Sequence, residues 1–291
     1  MKISFRSILK NLFFFVKIIV IAIVLAVILR VFVFSSFKIP SYSMLPALDA
    51  GDYILVNKLA LGGRVYKNFD FRKGGKVETK RLWGFREVKR NDVLVFNFPY
   101  IDDWVNMDFN FNVFYVKRCV AIPGDTFCIE NGVYKVLNCP DTLGCYQNQV
   151  DNYQRFANDT NRVADECFPF DEEYNWTVLN FGPLYVPGKG NTLTIDARNI
   201  KLYRNLIVYE TDKPVTVKND TVYLGNEILR TYTFQKNYYF MTGDYVFDSR
   251  DSRYWGLLPE DHIVGKAAVI WKSEDMNTKT FRWERFFKII K

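Results

Sequence analysis

Ser41 and Ser43 stand two positions apart in Lys38-Ile39-Pro40-Ser41-Tyr42-Ser43-Met44-Leu45-Pro46-Ala47-Leu48, a short stretch that also holds two prolines. A serine hydroxyl becomes a competent nucleophile only when a nearby base takes its proton. The chain has one histidine, His262, so a Ser-His-Asp triad would have to use it. His262 follows Pro259-Glu260-Asp261 in a charged turn before a strand, where a solvated loop histidine is expected. The remaining route is a lysine, and a lysine serves only when neutral. Its ordinary pKa of about 10.4 leaves it a cation near pH 7 unless burial lowers it. The place to look is therefore an apolar strand. Lys117 lies in one, Val113-Phe114-Tyr115-Val116-Lys117-Arg118-Cys119-Val120-Ala121-Ile122. Strand alternation puts Tyr115, Lys117 and Cys119 on one face and Val116, Arg118 and Val120 on the other. By itself a strand lysine is more often a solvated edge residue, so its chemistry depends on what surrounds it. With one histidine and no Cys-X-X-Cys pair, no metal site and no other cofactor are expected.

The elements that must position these residues begin with a membrane-grade run. From Leu12 to Phe34 only Lys17 and Arg30 interrupt the apolar sequence, about the length that crosses a bilayer as a helix. Both charges lie near its ends, within snorkelling reach of the interface. The run is longer than the core of a cleavable signal peptide, so it is expected to stay as an anchor. Lys2, Arg6, Lys10 and Lys17 precede or open it, which puts residues 1–11 in the cytoplasm and everything after Phe34 on the outer side of the cytoplasmic membrane. The lipid bilayer is thus an expected partner. The formal charge of +7 comes from 39 Lys and Arg interspersed with 32 Asp and Glu, without a basic block or nucleic-acid motif, so no nucleic-acid partner is expected.

Beyond Pro46 the runs DYILVNKLA, NDVLVFNFP, VFYVKRCVAIPGD, GVYKVL, LIVYE, VTVKNDTVYLG and KAAVIW read as strands separated by turn residues. The fold class expected is mostly β: an antiparallel catalytic β domain (residues 35–130 and 241–273) with an inserted β subdomain (131–240), on one transmembrane helix (12–34). Residues Gly62 to Arg90 read as a basic excursion between two strands. In the last segment, 274–291, Trp283, Phe286, Phe287 and Ile290 recur at helical spacing beside Arg282, Arg285, Lys288 and Lys291, the pattern of a basic amphipathic helix lying on lipid or on the protein's own core. Five cysteines cannot all pair; Cys139 and Cys145 bracket a turn-like segment and either close a small loop or stay free thiols.

Taken in order, KIPSYSMLPAL, RNDVLVFNFP, YVKRCVAIPGD and GDYVFDSRDSRYWGLLPEDHIVGKAAVIW, behind an N-terminal anchor, resemble the boxes of bacterial type I signal peptidase, a membrane-bound serine-lysine protease. The resemblance implies that Ser43 is the nucleophile and Lys117 the general base. It implies that Ser41 joins the Ser43 N–H in an oxyanion hole, that Ser249 orients the lysine, and that Asp251 and Arg253 form a supporting ion pair beside Gly243 and Asp244. It further implies a pocket for a small side chain lined by Ile39, Pro40, Met44, Leu48, Tyr115 and Val116, signal peptides of exported preproteins as substrates, and cleavage after Ala-X-Ala. Tyr42, Ala47 and Tyr245 depart from residues frequent in the family, and bear on substrate fit more than on the reaction. The alternatives are an inactive membrane-tethered binding protein on the same scaffold and a self-cleaving Ser-Lys protease. An activity that rises from mildly acidic to alkaline pH is expected of a lysine base.

Overall fold

The computed structural model describes residues 5–67, 79–101, 104, 106–159 and 164–291. Lys2 and part of the Gly62 to Arg90 excursion (68–78) lie outside the described residues. A helix, Phe5–Ile28, continues through a π-turn at Leu29–Val33. Within it Asn11–Val33 is long and apolar enough to cross a membrane, and none of its most apolar stretch is buried by the protein. Phe34 is the first residue of a strand, so the helix hands over to the sheet without a linker.

Strand outweighs helix in the rest of the chain. The central sheet is antiparallel, with spatial order Phe34–Lys38, Asp52–Asn57, Ile263–Ser273, Val93–Asn97, Phe114–Ala121, Tyr238–Thr242 and Leu258–Pro259. Val93-Leu94-Val95-Phe96-Asn97 is buried along its whole length because the sheet is covered on both faces: Val93 and Val95 pack with Met44, Leu48 and Ile54, while Leu94 and Phe96 pack with Cys119, Met241 and Trp255. An uninterrupted apolar run is what such a doubly covered strand requires. The next strand leaves the sheet through Ile122-Pro123-Gly124-Asp125, where Asp125 N–H donates to Ile122 O at 3.0 Å and Gly124 takes φ +92°, open to glycine at little cost.

The intervening region mixes strands with two helices, Tyr146–Asn158 and Ile200–Thr211. Its sheet begins before residue 131, since Thr126–Glu130 pairs with both Val133–Val136 and Phe181–Tyr185. The run Leu206-Ile207-Val208-Tyr209-Glu210, read as a strand, is helical. Ile200, Tyr203 and Ile207, with Leu202 and Leu206, form its buried side at helical spacing. All five cysteines are free, so Cys139 and Cys145 do not close a loop.

The C-terminal segment also departs from expectation. It forms a 3₁₀ turn at Trp283–Arg285 and a two-residue strand, Lys288–Ile289, along Ile263–Ser273, instead of an amphipathic helix. The cause is charge pairing with distant carboxylates. Buried Asp52 accepts from Arg285 Nε at 3.0 Å and Nη2 at 2.6 Å, and from Ser273 Oγ at 2.7 Å. Arg282 reaches Ser273 Oγ and Ala50 O at 2.9 and 2.7 Å. Burial alone would raise the Asp52 pKa, but Arg285, the Asp49 N–H and Ser273 outweigh it and hold it below the ordinary range.

Candidate active site

The stretch from Pro40 to Leu48 turns sharply: Leu45 N–H donates to Tyr42 O at 3.0 Å and Leu48 N–H to Met44 O at 2.9 Å. This places Ser43 half-buried at the turn while Met44 and Leu48 point into the core. Lys117 arrives from the Phe114–Ala121 strand, and its Nζ lies 2.6 Å from Ser43 Oγ. Seventy-four positions apart in sequence, the two groups are in hydrogen-bond contact.

Lys117 is 4% exposed, and its Nζ lies 5.9 Å from the centroid of the Tyr115 ring, on the shared face. Burial pushes its amine down to about 8; attraction to Asp251 opposes the shift and repulsion from Arg253 adds to it. A lysine so placed is substantially neutral at mildly alkaline pH, when the Ser43 hydroxyl can donate to its lone pair. Ser41 Oγ is in hydrogen-bond contact with Ser43 Oγ at 3.4 Å, and among the described residues the Ser43 N–H has no acceptor.

Behind the pair lies the Gly243 to Arg253 segment. Arg253 Nε and Nη2 donate to the two oxygens of Asp251 at 2.8 and 2.9 Å, and both residues are essentially inaccessible to solvent. Asp251 also accepts the Gly243 N–H at 2.9 Å. On the other face of the strand Arg118 forms a two-pronged pair with Asp244 at 2.7 and 2.6 Å. The loop is therefore fastened to the lysine strand and to its own ion pair. Gly243 has no room for a side chain, since a Cβ there would sit 2.2 Å from Ser249 Oγ and 2.5 Å from the Ser43 carbonyl oxygen. Gly243→Ala is expected to displace Ser43 and lower kcat/KM by about a hundredfold, as an ångström of misplacement does elsewhere. Steady-state cleavage by the variant would check this, and an unchanged kcat/KM would show that the loop yields without moving Ser43.

Ser249 Oγ is buried with no hydrogen-bond partner, so it makes no bond to Lys117 in this structure. A cleft of about 390 Å³ opens over Ser43 and Lys117, lined by Ile39, Pro40, Ser41, Met44, Tyr115 and Val116. Leu48 is not part of it: the turn that bonds its N–H to Met44 carries the side chain into the core below. Asp248 and Arg250 do line the cleft, as charged rim groups not singled out from sequence. Nor was Asn148, whose Nδ2 donates to Leu45 O at 3.0 Å and Asp244 O at 2.7 Å, tying the helix of the inserted region to both active-site loops. Nothing in its local sequence distinguishes it from other helix asparagines.

His262 is fully buried, where a solvated loop residue was expected. Its Nδ1 lies 3.1 Å from Asn97 O, its Nε2 3.1 Å from Tyr209 Oη, and its ring packs on Phe109. Burial pushes its pKa down to about 4, with Asp261 opposing. With both ring nitrogens engaged, it is a packed, neutral core residue.

The family described as signal peptidase, peptidase S26, matches residues 12–272. Signal peptidase I of Buchnera aphidicola subsp. Acyrthosiphon pisum is 30% identical over 253 residues, covering 86% of this chain and 72% of that protein. Signal peptidase I of Pseudomonas aeruginosa is 27% identical over 86% of this chain and 68% of its own length, and that of Aquifex aeolicus 27% identical over 86% and 81%. The matched range takes in the apolar helix, Ser43, Lys117, the Asp251 and Arg253 pair and nearly all of the last long strand of the central sheet. The chain belongs to the signal peptidase family, peptidase S26, a family of serine peptidases.

Proposed function

We propose that this chain is a membrane-anchored endopeptidase that removes signal peptides from exported preproteins with a Ser43-Lys117 dyad. The observation that carries the reading is the 2.6 Å contact between Ser43 Oγ and a buried lysine amine whose pKa is lowered to about 8. Neutral Lys117 takes the Ser43 proton as Oγ attacks the scissile carbonyl. The oxyanion is received by the Ser43 N–H and the Ser41 hydroxyl. The ammonium of Lys117 then protonates the departing amine, leaving an acyl ester on Ser43 and a neutral lysine. Lys117 next takes a proton from water, the hydroxide attacks the ester, and the proton returns to Ser43 as the signal-peptide acid leaves. We assign Ser249 the lysine-orienting role from the family match, although its hydroxyl, buried beside Gly243, makes no bond to Lys117 in this structure. The Asp251 and Arg253 pair supports the loop that carries Gly243.

Substrate enters as an extended strand. Tyr238–Thr242 pairs with the lysine strand only from Arg118 onward, which among the described residues leaves the Phe114 to Lys117 edge at the cleft without a partner strand on that side. Backbone addition there supplies affinity, and the apolar walls of Ile39, Met44, Tyr115 and Val116 suit an alanine side chain before the cut. We assign this site to the outer face of the cytoplasmic membrane, where a signal peptide's own helix ends; the positive residues before the apolar helix support that orientation. Purified full-length protein in detergent is expected to release the mature N-terminus from a preprotein with an Ala-X-Ala site. Ser41→Ala should cut on the order of a hundredfold more slowly, the usual effect of one lost oxyanion donor. Preproteins left intact under all conditions would instead favour an inactive binding protein on this scaffold.

A further inference from the structure

At the end of the membrane-spanning helix the backbone loosens into the π-turn Leu29–Val33, and carbonyl oxygens there need outside donors. Lys58 supplies one, its Nζ donating to Arg30 O at 2.9 Å and Val31 O at 3.0 Å. Beside this cap Arg30, Lys58 and Arg64 line one cleft of about 590 Å³, together with the apolar side chains of Val31, Phe32 and Val65. Arg64 is engaged by neutral acceptors, namely the Asp261 and His262 carbonyls and Asn97 Oδ1 at 3.1, 3.2 and 2.8 Å. The carboxylate that attracts it, Asp261, is already paired with Lys236 at 2.8 Å. Among the described residues none of the three cations forms a salt bridge. Burial, and then repulsion from Arg64 and Arg30, lower the Lys58 pKa, as an uncompensated cluster requires.

Three cations sharing a cleft without a counter-ion leave a place for an anion, and the setting narrows which. Arg30 lies three residues from the end of the span Asn11–Val33, about 5 Å along the axis, at headgroup depth. The negative end of the helix dipole would disfavour an anion here, but the ammonium of Lys58 lies on those carbonyls and offsets it. Val31 and Val65 are exposed on the cleft walls and continuous with the apolar span, as a lipid's glycerol and upper acyl chains need and a free anion does not. We propose that this cleft binds the phosphate of an anionic phospholipid in the leaflet facing the catalytic domain, fixing the helix against that domain. The proposal rests on the membrane span and is independent of the chemistry assigned to Ser43.

The test titrates full-length protein in detergent with phosphatidylglycerol or phosphatidylcholine and counts bound lipid by native mass spectrometry. Wild type is expected to hold one phosphatidylglycerol at least about tenfold more tightly than phosphatidylcholine. Arg30→Gln, which removes an exposed guanidinium making no bond among the described residues, should reduce that preference about fivefold, and Arg30→Gln with Lys58→Gln should erase it. Equal affinity of wild type for the two lipids, or an unchanged preference in Arg30→Gln, overturns the proposal. Displacement of phosphatidylglycerol by millimolar inorganic phosphate does so too, reassigning the cleft to a free anion. Preprotein cleavage in lipid-free detergent should be the same in Arg30→Gln and wild type, so a failed peptidase assay and a failed lipid preference remain separate results.

Discussion

Lys117→Met and Ser43→Ala should each lower kcat by about ten-thousandfold or more while the protein still folds, because removing either member of such a unit leaves only binding and oxyanion contacts. Methionine matches the lysine stem in volume and keeps its packing, so the substitution deletes the amine and little else. The two variants should differ in stability. Burial lowers the Lys117 pKa to about 8, so the folded protein holds that proton less tightly than the unfolded chain. The charged lysine therefore costs stability below about pH 8, and the cost fades between there and its ordinary value of about 10.4. Lys117→Met should accordingly unfold at the same or higher denaturant concentration than wild type at pH 7. The wild-type pH profile has the matching sign: kcat/KM should rise about tenfold per pH unit up to about 8 and then level as the neutral amine saturates. At pH 6 only about 1% of the lysine is neutral, so activity should be about a hundredfold below the plateau. A profile flat from pH 6 to 9 would remove Lys117 from the role of base.

The segments that meet at the candidate site were legible because each is short and chemically unusual. A lysine inside Phe-Tyr-Val-Lys-Arg-Cys-Val and paired serines before a Met-X-Pro turn are each uncommon, and their order along the chain adds information that neither has alone. Central strands such as Val93–Asn97 were legible for a related reason: a run buried on both faces has no polar positions to confuse its pattern. What was not legible depended on partners distant in sequence. Arg282 and Arg285 have the spacing of a lipid-facing helix, yet Asp52, Ser273 and the Ala50 carbonyl, contributed by other parts of the fold, take them instead. His262 looked solvated because its neighbours are charged, but Phe109 and Tyr209 fold over it from either side. Leu206 to Tyr209 failed differently. Four apolar residues, two of them β-branched, fit strand and buried helix alike, and only a wider window from Ile200 reveals the three-to-four periodicity.

The inserted region acts on the site through few but specific bonds. Asn148 holds the Leu45 and Asp244 carbonyls together, so the Ser43 turn and the Gly243 loop share one bracket. Asn91 does the same at a second point, donating to Thr142 O at 2.8 Å and accepting the Gly144 N–H at 2.9 Å. The geometry around Ser43 is thus set jointly by the central sheet and the insertion.

The second large effect lies in the ion pair behind the dyad. Asp251→Ala is expected to destabilise the fold by about 3–5 kcal/mol, since it leaves Arg253, 1% exposed, as a buried charge without its counter-ion. It also removes the acceptor of the Gly243 N–H and the side-chain cap of the short helix Ser252–Trp255. That is a large share of a typical stability of about 5–15 kcal/mol. Urea unfolding would measure it, and the double replacement Asp251→Leu with Arg253→Met should cost much less than the two single losses added together, because no charge is then stranded. Among its pKa effects Asp251 is the strongest force holding the Lys117 pKa up, and Arg253 the strongest charge pushing it down. Whatever activity Asp251→Ala retains should therefore follow a pH profile displaced to lower pH than wild type. A stability loss with an unmoved profile would make the pair a structural brace only; a displaced profile would mean that the same carboxylate that locks the loop also sets the pH at which the lysine becomes a base.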